Sequence, residues 1–383
     1  MFRYMAGFEA ASGMSRRVLA FWVGLALFGA ACLVWVGCGS SSAGAEREEG
    51  FANVYLGEIE PGSWTLELAT SYQRGDEPWQ SVRGLRLGNV TVDGLGLAQR
   101  PGDGRMLLGY TVDGTMKLHR SSGLKFARQP VQRLKGVAVG PGIAHVSGDS
   151  WLLAYTLPNG DIVVRPFDSS GPARFGPPLD LPGTQRDTRP RGRPAIAYAD
   201  GRLVLVWGRS GDARLYRYLA ADYEPRTGSA NVVGEGRVPK PPRDFSDYIA
   251  EPQSSPALAD DGAGNFYLGA VYRGVSGRQF DTIRIYSSQD GAEWQAMDRP
   301  FPGGNKFHTG WTHVGLAARA AEGEAAPAAD LVLAVISGGN PGTTLEFSAA
   351  DGYWRNTEEE AFGKAVTYYN EAITATRLAP EGQ

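Results

Sequence analysis

The amino-acid sequence predicts an all-β protein assembled from a repeated unit. Three observations carry that expectation: the supply of turn-forming residues, a leader set apart from the rest of the chain, and one short signature that returns at regular intervals. The 383 residues include 52 Gly and 24 Pro, with 21% charged residues. That much Gly and Pro without low-complexity runs points to many tight turns between short strands. Formal net charge is −3. Setting aside residues 1–37, which hold Arg3, Arg16, Arg17 and Glu9, leaves 35 basic against 40 acidic residues, or −5. A domain of that sign argues against nucleic acid as a partner.

Arg16 and Arg17 precede an apolar run from Val18 to Val36, and Gly37-Cys38-Gly39-Ser40-Ser41-Ser42-Ala43-Gly44 follows. Positive charge, an apolar stretch and then small residues is the order of a secretory leader. It resembles a bacterial lipoprotein signal, which implies that residues 1–37 are removed, that Cys38 is lipidated, and that residues 38–50 form a flexible tether. Cys32, after Gly29-Ala30-Ala31, is a competing position. An uncleaved anchor stays open beside this reading, because the run approaches the ~20 residues that span a bilayer. Either way residues 51–383 are expected to be exported and held at a membrane, on the periplasmic or outer-surface side. Neither Cys32 nor Cys38 falls within residues 51–383, so the exported domain is expected to have no disulfide and no thiol nucleophile.

Gly96-Leu97-Ala98, Gly142-Ile143-Ala144, Ala195-Ile196-Ala197, Ala257-Leu258-Ala259 and Gly315-Leu316-Ala317 share the pattern small, Leu or Ile, Ala. Each is followed by a turn and a strand-like run: Met106 to Val112, Trp151 to Leu157, Leu203 to Trp207, Phe266 to Tyr272 and Leu331 to Ile336. A third run then follows: Met116 to His119, Ile162 to Arg165, Leu215 to Tyr218, Thr282 to Tyr286 and Thr344 to Phe347. The signature alanines are 46, 53, 62 and 58 residues apart. That is near the period at which four-stranded blades pack radially in a β-propeller. Small residues suit the innermost strands, which crowd the axis.

Six blades are preferred, with five as the alternative. The sixth would be shared between the ends. Trp64 to Trp79 mimics a third strand, its turn and a closing Trp, while Ala365 to Tyr369 and Ala372 to Arg377 would supply the first two strands. Closing a ring with both ends removes exposed sheet edges. A helix starting at Thr357-Glu358-Glu359-Glu360 would leave five blades.

Ser287-Ser288-Gln289-Asp290-Gly291-Ala292-Glu293-Trp294 follows the third run of the fourth unit. It resembles the Asp-box, or bacterial neuraminidase repeat, of sialidase-like propellers: Ser287, Gly291 and Trp294 match, whereas Gln289 and Glu293 replace Asp and Thr. The resemblance implies a sialidase-like fold with this box in the turn between the third and fourth strands, on the side away from the ligand.

The same resemblance puts the ligand mouth at the loops leading into each innermost strand. Residues 183–194 include Arg186, Arg189, Arg191 and Arg193, a run able to clamp a carboxylate, sulfate or phosphate. Residues 238–256 include Arg243, Tyr248 and Glu251, and residues 300–313 include His308, Trp311 and His313. Arg189, Arg191, Arg193, Arg243, His308, Trp311 and His313 are therefore the candidate ligand-binding residues. The expected function is noncatalytic binding of a glycan or small anionic ligand. The alternative is a glycoside hydrolase in which Asp187, Tyr248 and Glu251 act as carboxylate pair or tyrosine nucleophile. A third reading is a structural component that assembles with an envelope protein partner. No cofactor and no metal is expected, and Asp260-Asp261-Gly262-Ala263-Gly264-Asn265 reads as a hairpin turn, lacking the later Glu of a calcium loop.

Overall fold

A computed structural model describes residues 50–58, 66–74, 79–101, 103–184, 190–209, 216–239, 251–252, 255–273, 282–297, 311–320, 329–337, 343–350, 352–357 and 373–378. The chain divides into two compact units, Met1–Arg47 and Glu48–Gln383, and every described residue belongs to the second.

The described residues form strands and turns only. The chain begins with β1 (Gly50–Glu58), β2 (Leu66–Arg74) and β3 (Gln80–Gly88). Blade 1 follows as β4 (Leu95–Gln99), β5 (Met106–Val112), β6 (Thr115–Ser122), β7 (Lys125–Phe126) and β8 (Gln132–Lys135). Blade 2 is β9 (Val139–Ser147), β10 (Ser150–Thr156), β11 (Ile162–Asp168) and β12 (Arg174–Phe175). Blade 3 is β13 (Pro190–Ala199), β14 (Arg202–Arg209), β15 (Arg217–Glu224) and β16 (Ser229–Arg237). Blade 4 is β17 (Glu251–Pro252), β18 (Ala257–Asp260), β19 (Phe266–Arg273), β20 (Thr282–Ser288) and β21 (Gln295–Ala296). Blade 5 is β22 (Trp311–Ala320), β23 (Ala329–Ser337), β24 (Thr343–Ser348) and β25 (Tyr353–Thr357), and β26 (Ile373–Leu378) comes last.

These strands make six antiparallel sheets. The innermost strands form a closed ring in which β4, β9, β13, β18, β22 and β26 each neighbour the next, and β26 returns to β4. The protein is a six-bladed β-propeller, as its repeats predict. The sixth sheet has the order β26-β1-β2-β3. This corrects the expected division of the closing blade. The carboxyl end contributes one described strand, and it is innermost; the second strand is β1, from the amino end, with Phe51 opposite Arg377. Trp64 to Trp79 does provide the third strand, as β2. Residues 365–369 lie outside the described residues. The third strand of blade 3 is described from Arg217, and Leu215 lies outside the described residues.

Burial follows radial position. The second strands β5 and β10 are buried almost throughout, because each is covered by neighbouring blades on both faces. Their sequences are accordingly continuous apolar runs instead of alternations. The outer strand β16 alternates between exposed and half-buried positions. The core is a series of clusters between blades; in one, Leu107, Met116 and Leu118 of blade 1 meet Ile143, Trp151 and Leu153 of blade 2. The signature glycines serve the axis, where a Cβ on Gly96 would lie 2.1 Å from the Pro141 carbonyl oxygen. One on Gly142 would lie 2.4 Å from that of Pro194.

Candidate functional site

All six innermost strands run the same way, so their first residues gather at one end of the axis. Four of the six blades break register there. In blade 2, Val139 lies opposite Thr156 and Gly142 opposite Ala154, which leaves two residues facing Tyr155. In blade 3, Arg191 lies opposite Gly208 and Ala195 opposite Val206, so Gly192-Arg193-Pro194 faces the single residue Trp207. In blade 4 the innermost strand is split, with Pro252 opposite Tyr272 and Ala257 opposite Gly269. In blade 5, Trp311 lies opposite Ser337 and His313 opposite Ile336, with Thr312 extra. Such bulges bend a strand and re-aim its side chains.

The sequence carries a signal for three of these breaks that the motif reading missed. Pro141, Pro194 and Pro256 each stand immediately before a signature. Proline has no N–H for a ladder and is tolerated at bulges and on edge strands, and an innermost blade strand is an edge.

Blades 3, 4 and 5 are consecutive, and their bulged heads carry the candidate residues that are described. Arg193 is buried, only 5% exposed, inside the blade 3 bulge. Its backbone N–H donates to Ser255 Oγ at 2.5 Å, which links it to the lead-in of blade 4. Arg193 also lines a small axial cavity of about 20 Å³, with Thr374 of β26 in the same wall. A guanidinium carries planar, directional donors, the chemistry that recognises carboxylate, sulfate or phosphate. Arg191 lies in β13, and Glu251 lies in β17 opposite Arg273. Trp311 opens β22, and the half-buried His313 follows its extra residue. Asp187, Arg189, Arg243, Tyr248, His308 and Cys38 lie outside the described residues.

The motif Ser287 to Trp294 sits in the turn between β20 and β21, at the opposite end from the bulged heads. Ser288 Oγ donates to Asp290 Oδ1 and accepts the Gly291 N–H. The N–H groups of Ala292 and Glu293 both donate to Asp290 Oδ1 at 2.8 Å. Burial raises the Asp290 pKa, but these amides, Ser288 and Arg202 outweigh it and hold the carboxyl below its usual range. Trp294 is buried against blade 3, beside Tyr218. The polar groups of the motif are thus consumed in the turn, and its Trp in packing.

Asp260 to Asn265 joins β18 to β19 as the expected hairpin. Asp261 Oδ1 accepts the N–H groups of Ala263 and Asn265, and Oδ2 accepts the Asn265 side-chain amide. Among the described residues no group of three or more metal-ligating side chains converges.

Halfway along the axis the central signature residues Leu97, Ile143, Ile196, Leu258 and Leu316, with Ala375 of β26, border two cavities. One is the small cavity at Arg193. The other, of about 340 Å³, extends toward the far ends of the innermost strands.

No family model matches the sequence, and no curated protein matches it. Solved structures do resemble this chain in fold. AofleA from Arthrobotrys oligospora is 13% identical over 90% of this chain and 96% of its own, with a TM-score of 0.47. The α-L-arabinanase of Penicillium chrysogenum is 14% identical over 69% of this chain and 80% of its own, with a TM-score of 0.45. The α-L-arabinofuranosidase Arb93A from Fusarium graminearum is 11% identical over 70% and 80%, with a TM-score of 0.47. The six-bladed assignment rests on the strand pairing itself.

Proposed function

We propose that this chain is an exported, lipid-anchored, sialidase-like propeller that binds a glycan or another small anionic ligand at the bulged end of its axis, without turning it over. The observation that supports this reading is the grouping of Arg193 with the strand heads of three consecutive blades that break register. Arg191, Trp311 and His313 belong to the same heads, and the loops carrying Arg189, Arg243 and His308 lead into them. An arginine-rich mouth with an aromatic residue matches a ligand that has one anionic group and a sugar face.

Glycoside hydrolysis is the second reading. It draws on Glu251, which lies in β17, the lead-in strand of blade 4. Asp187 and Tyr248 would complete the machinery, with a carboxyl pair ~5 to 9 Å apart.

The test uses the full-length chain in detergent, titrated calorimetrically with sialyllactose, a sulfated disaccharide and lactose, and assayed with fluorogenic glycosides. Binding of the anionic sugars that is lost in Arg193→Gln, with no turnover, supports the binding module. Turnover that disappears in Glu251→Gln replaces it with the hydrolase. Failure of all three sugars to bind overturns the site. Lipidation is read separately, by incorporation of labelled fatty acid into the wild type and not into Cys38→Ala.

A further inference from the structure

The 340 Å³ cavity lies at the far end of the axis, and the proposed function does not use it. Its floor is the apolar ring of central signature residues. Two positions further along the same strands, the side chains become polar in five of the six blades: Gln99, His145, Tyr198, Asp260 and Arg377, with Ala318 as the sixth. These residues lie far apart in sequence and meet only because each blade repeats the same strand. A volume of that size falls within the range of small-molecule sites, ~300 Å³ and upward.

Each innermost strand is also a sheet edge. Strands β4, β9, β13, β18, β22 and β26 have ladder partners on their outer side only. Their axis-facing N–H and C=O groups therefore add donors and acceptors to the wall.

We infer that this cavity is a second ligand site, one that takes a neutral polyhydroxylated molecule of monosaccharide size. The charges select for neutrality. An anion entering the cavity meets Asp260 and, at the rim, Asp200, whereas a cation meets Arg377. Hydroxyl groups can donate to the carboxylates and accept from the guanidinium, and they suit the mixed backbone edges equally well. The carbon face of a pyranose or furanose ring fits the apolar floor. A zwitterionic amino acid is a poorer match, because Arg377 Nη1 already donates to the Asp261 carbonyl at 2.7 Å and the full fork is not offered to a carboxylate. Asp260 is likewise held in place, with Oδ1 accepting the Gly262 N–H at 3.1 Å.

Saturation-transfer NMR on the full-length chain tests this, using methyl glycosides of glucose, galactose, mannose, xylose and arabinose, with glycine and glutamate as comparison probes. The expected result is transfer to at least one methyl glycoside that falls at least tenfold in both Asp260→Asn and Arg377→Gln and persists in Arg193→Gln. A signal lost in Arg193→Gln but kept in Asp260→Asn belongs to the mouth and overturns the second site. Transfer to an amino acid alone, or to no probe, overturns it as well. Asp260→Asn keeps the shape of the side chain, so it remains informative if Arg377→Gln unfolds the closing strand.

Discussion

The guanidinium of Arg377 donates to the backbone carbonyl of Asp261, 2.7 Å away and 116 residues earlier in the chain. The same carbonyl accepts the Ala320 N–H at 3.1 Å. Residues of β26 and β22 are thereby tied to the β18–β19 turn, so the last strand is fastened to blade 4 as well as to its own sheet.

Breaking this tie is expected to loosen ring closure. Arg377→Met should cost about 1.5–3 kcal/mol, the range for a hydrogen bond involving a charged group. Deletion of residues 373–383 should abolish cooperative unfolding, because it strips the innermost strand from the closing blade and opens the ring. Urea denaturation followed by circular dichroism measures both. A deletion variant as stable as the wild type would contradict the closure described above.

Gly291 and Gly352 make a matched pair. Both have positive φ, 75° and 70°. A Cβ on Gly291 would lie 2.2 Å from Val204 Cγ2 of the adjacent blade, while one on Gly352 would have nothing within 4 Å. Gly352→Ala should therefore cost only the left-handed backbone term, about 1–2 kcal/mol. Gly291→Ala should cost at least about 1–3 kcal/mol more, the usual price of overpacking. Equal melting temperatures for the two variants would refute the interblade contact.

Asp260 makes stability depend on pH. Burial pushes its pKa from 3.8 up to about 6, against the opposing pull of Arg377. The folded state then binds more protons than the unfolded state between those values, so this group's contribution is fully present below pH 3.8 and is lost as pH rises through about 6. Asp260→Asn should flatten that part of the profile. At pH 7 it should raise stability by up to about 3 kcal/mol, two pKa units at about 1.4 kcal/mol each. Chemical denaturation at a series of pH values from 4 to 7 checks the sign.

Ser169 supports the core of blade 2. Its Oγ accepts the indole N–H of the buried Trp151 at 2.9 Å, and its backbone N–H donates to the Asp149 carbonyl. Ser169→Ala should cost about 1–3 kcal/mol by leaving a buried donor without its acceptor. Ser169→Thr keeps the hydroxyl and should recover most of that loss in a thermal melt.

The site was legible in the sequence only in part. Arginines, aromatics and acids ahead of three of the five signatures marked the loops, because a residue type and its distance from a repeat are local facts. That Arg193 would be buried, and bonded through its N–H to Ser255 of the next blade, was not legible. Both depend on a bulge whose size is set by pairing with β14. The Pro before three signatures was visible, but it acquires meaning only when the strand that follows is known to be an edge.

The sequence by itself determined the all-β class, the repeating unit and the positions of five innermost strands, since small residues at the axis and apolar second strands recur with a regular period. It also pointed to closure by both ends. Only the tertiary structure decided which strands close the ring, since the pairing of Phe51 with Arg377 leaves no trace in either local segment. The polar ring of Gln99, His145, Tyr198, Asp260 and Arg377 belongs to the same class of fact. Its members share no motif, and they become neighbours because rotation about one axis brings the same strand position of each blade to a common cavity.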